Sequence, residues 1–441
     1  MPFLRTVEKL RASTLKSNKY QTISMNLRIS YKLKNSINIL SQGATLIATV
    51  TVAFFSNSLT APGAFAFSFT QLSEKTGFEH ESTDLIASIL YARPSSTYSH
   101  MATSGANRVN QNYANGTTST WYIEEQRFGA NAIISGLIHN DQKAIDAGFQ
   151  MFDWGFSQQQ NDGSFLPTND PFHSTSMFLG SAAYSLLTLQ ESPNAELYTD
   201  IIQNYVPKLH SAGRWLIRKD IWDLGMSNNS PYTHRNYTVA TALGLTGKLT
   251  GDQILINYAN QSITQGLNKQ WSNGVNPEKD GYDSSYQMAG ALQAMRWLNH
   301  FDEDSLASSV ATMINNALIW EESKILLSGE VSTQGNTRTN GTEITRTGQS
   351  KSINQREIIY GFSYWSSITG DAYWRKHASD ITRYYYSDDL LVMSNLEYLS
   401  LLDLEISIET QDVPESSQIA GIILLFLVYL FAFPYSHRSL S

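Results

Sequence analysis

Two polar strings, each opening an apolar helical run, hold the side chains best suited to moving protons. The first runs from Met226 to Tyr237 and includes Asn228, Asn229, Thr233, His234, Arg235 and Asn236. The second runs from Asn273 to Gln287 and includes Glu278, Lys279, Tyr282, Asp283 and Tyr286. Histidine exchanges protons near neutral pH, and tyrosine serves as acid or base where a nearby cation or imidazole favours its charged form. Arg235, Asn236 and Arg356 are candidates to stabilise negative charge that grows in a transition state. Asp283 or Glu278, with a second carboxylate such as Asp170 or Glu125, offers the alternative of two-carboxylate hydrolysis. Asp283 and Ser284 also stand where a helix N-cap is required, which gives them a purely structural use.

Other chemistries are excluded by composition. The 441 residues contain no cysteine, so disulfides, thiolate metal sites and a cysteine nucleophile are ruled out. Nine histidines are scattered without metal-ligand spacing, and no phosphate loop, dinucleotide fingerprint or HExxH is present. No metal and no cofactor is expected. The net charge of −8 divides into +7 over residues 1–66 and −15 over the remainder. Nucleic acid is disfavoured as a partner, because phosphate binding draws on clustered cations.

The candidate residues must be positioned by helices. Between residues 67 and 410 apolar side chains recur at helical spacing, as in Ala130, Ile133, Ile134 and Leu137. Segments 123–138, 141–158, 173–190, 194–217, 234–247, 251–270, 284–300, 304–322, 356–369 and 371–386 all fit. Short links such as His139-Asn140-Asp141 and Thr250-Gly251-Asp252 make neighbouring helices antiparallel. An internal repeat relates Asp162-Gly163, Pro167, Asp170, His173 and Ser174 to Asn273-Gly274, Pro277, Asp280, Asp283 and Ser284. That offset of about 110 residues equals two hairpins and predicts an all-α array, an (α/α) toroid of about six hairpins whose inner helices converge on a cleft. Ser328 to Gln355 lacks the helical pattern and is rich in Thr, Gly and Asn. Its Asn340-Gly341 pair predicts a β-hairpin or long loop over the cleft mouth.

The ends read as addresses. A basic segment, the apolar run Gly43 to Phe55 and the small residues of Ala64-Phe65-Ala66 make residues 1–66 a secretory signal region, with Met25 a possible start. Residues 411–441 hold Val413-Pro414-Glu415-Ser416, the uncharged run Ile419 to Phe433, then His437 and Arg438. This order resembles the PEP-CTERM sorting signal of bacteria that secrete exopolysaccharide, with Ser416 where that family has proline. The resemblance implies export to the periplasm, cell surface or medium, a C-terminal transmembrane helix that is transient, and a membrane sorting machinery as partner. A simple C-terminal anchor is the alternative.

Taken together, the two polar strings resemble polysaccharide lyases of the (α/α) toroid type, the alginate and chondroitin lyase group. His234 matches the family histidine and Tyr286, 52 positions later, the family tyrosine. The residue before His234 is Thr233, where the family has asparagine. The resemblance implies β-elimination on a uronic-acid polysaccharide, with His234, Tyr286, Arg235 and Asn236 as the working residues. Asp283 carries acid catalysis under the hydrolase alternative, and a non-catalytic polysaccharide-binding protein is a third possibility. Trp121, Tyr122, Trp154, Trp271, Tyr282 and Trp365 are candidate sugar platforms, because flat amphipathic rings stack on pyranose faces. His173, Glu278, Gln287 and Arg356 complete the expected substrate contacts.

Overall fold

Apolar residues three and four apart force each segment into a helix with one buried face, and the observed elements follow that spacing. The computed structural model describes residues 75–83, 94–108, 112–113, 117–118, 121–345 and 348–390. The expected signal region 1–66, the PEP-CTERM-like motif expected at Val413 and the apolar run 419–433 lie outside them. Among the described residues no helix is long and apolar enough to cross a membrane.

Helix α1 spans Gly77–Thr83 and α2 Pro94–Thr97. Strands β1, Asn112–Tyr113, and β2, Thr117–Thr118, form a short antiparallel ladder. Everything else that is regular among the described residues is helical: α3 Tyr122–Glu125, α4 Phe128–His139, α5 Gln142–Ser157, α6 Pro171–Gln190, a 3-10 turn Ala195–Tyr198, and α7 Thr199–Leu216. There follow α8 Lys219–Asn229, α9 Thr233–Thr250, α10 Gln253–Leu267, α11 Ser284–Leu298, α12 Ala307–Glu322, α13 Gln355–Thr369 and α14 Ala372–Leu390. The chain is all-α in class. Helix α8 was not legible, because only Trp222, Gly225 and Asn229 of its residues are buried.

Local sequence sets the ends of these helices. Asp141, Asp170, Asp252, Asp283 and Asn354 cap α5, α6, α10, α11 and α13, each accepting from a backbone N–H of the first turn. Asn140 and Gly251 take left-handed conformations that close α4 and α9 and turn the chain back at once. The hairpins α4–α5, α9–α10, α11–α12 and α13–α14 result. Helices α4, α6, α9, α11 and α13 each pack on the next in that order, and α1 touches α4, α6 and α13. One apolar cluster joins Phe152, Phe156, Phe178 and Tyr205 between α5, α6 and α7. Another gathers Tyr237, Met288, Trp297, Phe362 and Trp365 between α9, α11 and α13. Each such side chain contributes about 1.5–3 kcal/mol by leaving water.

The repeat extends further than the letters show. The same turn occurs at 102–106, 160–164, 271–275 and 326–330: the first residue donates its N–H to the carbonyl four on, and the glycine at the fourth position donates back to the first. Gly105, Gly163, Gly274 and Gly329 all have φ between 88° and 90°. Gln159 and Gln270 add the same pair of bonds, to the turn glycine's carbonyl and to a carbonyl of the following outer helix. The turns at 160–164, 271–275 and 326–330 each carry the chain from the second helix of a hairpin toward the next helix of the packed series.

Of the β-hairpin or long loop expected within 328–355, the described residues form the loop. Asn340 and Gly341 do adopt the left-handed pair of a tight turn. The flanking backbone has other partners, since Thr337 donates to Tyr282 O while Arg338 and Thr339 donate to Asp283. Those N–H groups are then unavailable to a ladder, and the segment is stitched onto the start of α11 instead.

Candidate active site

The start of α9 and the loop before α11 are sewn together by backbone. Thr233 donates its N–H and its hydroxyl to Pro277 O, and Lys279 N–H donates to Pro231 O. A turn with two consecutive left-handed residues, Lys279 at φ 52° and Asp280 at φ 64°, reverses the chain directly after Glu278. Non-glycine residues adopt that region at a cost of about 1–2 kcal/mol each, so the turn persists because its surroundings hold it.

This stitching puts Glu278 against His234. Glu278 is fully buried and its Oε1 accepts from His234 Nδ1 at 2.6 Å and from the His234 backbone N–H at 3.1 Å. Its Oε2 accepts from Arg338 Nη1 at 3.1 Å. Donation through Nδ1 fixes the imidazole tautomer and leaves Nε2 as a lone-pair acceptor, with no hydrogen-bond partner among the described residues. Burial pushes the imidazole below its ordinary value, Glu278 pulls the other way, and the charges of Arg338 and Arg235 add to the burial. His234 is therefore neutral at physiological pH and able to accept a proton.

Tyr286 completes the centre. Its ring centroid lies 4.8 Å from that of His234, with the planes inclined at 48°. Arg338 lies flat over the tyrosine, its Cζ 3.5 Å from the ring centroid, and also over Tyr232 at 4.8 Å. Lys351 Nζ donates to the phenol oxygen at 3.1 Å. Glu343 ties the cations together: it accepts from Arg338 Nε at 3.2 and 3.3 Å, from Lys351 at 2.5 Å and from Lys279. Burial raises the Glu343 carboxyl, but the hydrogen bonds from Lys279 and Lys351 and the charge of Arg338 outweigh it and hold the group down at about 2. Three cations thus face two carboxylates in this cluster, which makes it locally positive within an acidic body.

The remaining candidates divide between this centre and other places. Arg235 donates to Asp170 at 3.0 Å and Asn229 at 3.1 Å, joining the starts of α6 and α9 to the end of α8 beside the centre. Asn236 points the opposite way, toward the end of α10, and its Oδ1 accepts at 2.8 Å from Lys269 just beyond that helix. It is 1 % exposed and shares nothing with His234. Asp283 is fully buried and accepts from the backbone of Tyr286, Arg338 and Thr339 and from the Thr339 hydroxyl. Its geometry is that of a cap and loop anchor. Gln287 bonds Asn276, Gly274 and Ala317, which fastens the repeat turn before α11. Arg356 reaches outward to the Tyr386 hydroxyl at 3.2 Å.

The aromatic candidates are equally divided. Trp365 is fully buried in the core and is corrected from a platform to a packing residue. Tyr282 donates to Gln334 O and sits edge-on to Trp320, serving the loop. Tyr122 donates to Phe165 O, stands against Trp154, and is pushed up to about 12 by burial. Trp271 is exposed at the repeat turn, Trp121 is half-buried before α3, and the His173 ring is buried in the first turn of α6.

Arg338, Glu343 and Lys351 are the residues that sequence does not point to. They lie 52 to 65 positions beyond Tyr286, in a segment without periodicity. The available signal was the presence of charged residues in a Thr- and Gly-rich stretch expected over the cleft. Comparisons with protein-family models, with curated proteins and with solved structures find no match for this chain.

Proposed function

We propose that this chain is an exported polysaccharide lyase that cleaves a uronic-acid-containing polymer by β-elimination, on an (α/α) toroid. The observation that carries the reading is the placement of His234 and Tyr286 side by side, the first oriented by buried Glu278 and the second flanked by Arg338 and Lys351. The ordered packing of α4, α6, α9, α11 and α13, with α1 touching both ends of that series, supports the toroid.

In the proposed reaction His234 Nε2 removes the proton on the carbon beside the uronate carboxyl. The electron pair forms a carbon–carbon double bond as the adjacent glycosidic C–O bond breaks. Tyr286 gives its proton to the departing oxygen, and Lys351 donates to the phenol oxygen that is left. Arg338 and Lys351 balance the charge that grows on the sugar carboxylate, which accelerates the step because that interaction strengthens toward the transition state. The hydrolase alternative loses support from the same geometry. Asp283 and Glu278, its candidate acids, are each fully buried and spent on structural donors, and Asp170, a candidate second carboxylate, is paired with Arg235.

The proposed route to the substrate is export, through the N-terminal signal region and the PEP-CTERM-like tail read in the sequence. The test of function is incubation with a panel of uronic-acid polymers while following the ultraviolet absorbance of the new conjugated double bond. Release of reducing ends without absorbance would establish hydrolysis, and retention of glycan without product would establish a binding protein.

A further inference from the structure

We infer that Lys279, Arg338 and Lys351 form a carboxylate-binding site that the protein fills with its own Glu343 when no ligand is bound. Three cations from separate places in the chain, the tight turn at 279, the loop at 338 and the loop at 351, converge on the two oxygens of this one side chain. Oε1 takes Lys279 and Arg338 Nε, and Oε2 takes Arg338 Nε and Lys351. Such a distribution over two coplanar oxygens is what a planar carboxylate requires, and a tetrahedral oxyanion would match it less well. The same Lys351 also donates to Tyr286, so the anion position adjoins the proposed reacting centre.

Glu343 is poised to leave. Glu278 is fully buried between His234 and Arg338, whereas the Glu343 side chain is 17 % exposed and stands on an irregular loop. Rotation of Glu343 into water would exchange one carboxylate for another and leave the cation set in place. The inference rests on the lyase reading for the source of the incoming group, a sugar carboxylate. An internal competitor of this kind lowers the apparent affinity for ligand by the fraction of molecules in which the site is open, and so selects ligands that offer further contacts.

The test is isothermal titration of the full chain with sodium galacturonate, galactose and sodium sulfate, comparing wild type with Glu343→Gln. Galacturonate should bind ~10-fold or more tightly to Glu343→Gln, because the neutral amide competes poorly for three cations. Galactose binding should not change, and Lys351→Met in the Glu343→Gln background should abolish the gain. Equal galacturonate affinity in wild type and Glu343→Gln would overturn the inference, as would a gain shared by galactose. A larger gain for sulfate than for galacturonate would overturn the carboxylate assignment. If Glu343→Gln fails to fold, Glu343→Asp, whose shorter carboxylate reaches the cations less well, must show the same direction. Binding is read here without turnover, so tighter galacturonate binding with no double-bond product would defeat the lyase reading while leaving this site standing.

Discussion

His234 Nδ1 donates to Glu278 Oε1 at 2.6 Å across 44 positions of sequence, and Glu278 holds Arg338 with its other oxygen. One buried carboxylate therefore orients both the imidazole and the guanidinium that flank Tyr286. Glu278→Gln keeps the volume but removes the charge and one acceptor. We expect kcat/KM to fall by ~100-fold or more, because the imidazole loses its fixed tautomer. The breaking of a buried ion pair should cost about 3–5 kcal/mol of stability, read from denaturant midpoints. Unchanged turnover in this variant would remove His234 from the reaction.

Asp283→Ala is expected to destabilise by about 2–4 kcal/mol, since it strips a helix cap and leaves the Arg338 and Thr339 N–H groups without their acceptor. The loss should appear as faster hydrogen exchange over 336–343 before global unfolding. A variant that keeps native exchange there would mean the loop is held by something other than Asp283.

Acid should release that loop as well. The Glu343 carboxyl is held at about 2 against an ordinary 4.5. A carboxyl lowered on folding contributes stability that is complete above its unfolded value and fades as pH falls toward its folded value. Proteolytic nicking between Lys324 and Asn354 should therefore rise between pH 4.5 and about 2 in wild type. In Glu343→Gln nicking should be higher at pH 6 and rise less steeply across that window.

A different acid response is expected at α1. His80 is pushed down to about 4, by burial first and then by Lys75, against the smaller pull of Glu79. His300 is pushed to about 3 by burial, with Lys248 and His80 adding to it. The His80 ring also meets Ser367, and Glu191 faces His300. Groups whose folded values are lowered in this way bind protons preferentially when unfolded, so stability is greatest above 6.5 and declines as pH falls through the window to 4. Exchange protection of 77–83 should decline over that same interval, earlier than that of 324–354. His80→Gln should flatten the response.

The repeat turns give a stability contrast. A Cβ at Gly163 or Gly274 would stand 2.2 Å from the carbonyl of Ser211 or Asn316, at φ 90°. At Gly251, φ 69°, nothing lies within 4 Å. Gly163→Ala and Gly274→Ala should each cost about 3 kcal/mol or more, while Gly251→Ala should cost only about 1 kcal/mol for its left-handed backbone. Similar midpoints for all three in guanidinium would contradict the close approach.

Much of this was legible in the letters, and the reasons for what was not are local. Periodicity located the hairpin helices, because one apolar stripe per helix must be buried. The pairing of Asp162-Gly163 with Asn273-Gly274 revealed the repeat, because a left-handed turn against a carbonyl leaves glycine little substitute. Adjacent placement of His234 and Tyr286 followed from both opening helices that pack on each other. Asn236 misled because two positions along a helix rotate a side chain to the far side, here onto α10. Asp283 could be read as acid or cap, and only its loop partners from 338 and 339 decide its use. Arg338, Glu343 and Lys351 were hidden because a loop without period carries no sign of what it will touch.

The most direct measurement is ultraviolet absorbance during incubation of wild type, His234→Ala and Tyr286→Phe with alginate, polygalacturonate and chondroitin. Absorbance should rise with wild type on at least one polymer and fall by ~100-fold or more in each variant. No absorbance on any uronic-acid polymer, or full activity in Tyr286→Phe, would contradict the lyase reading.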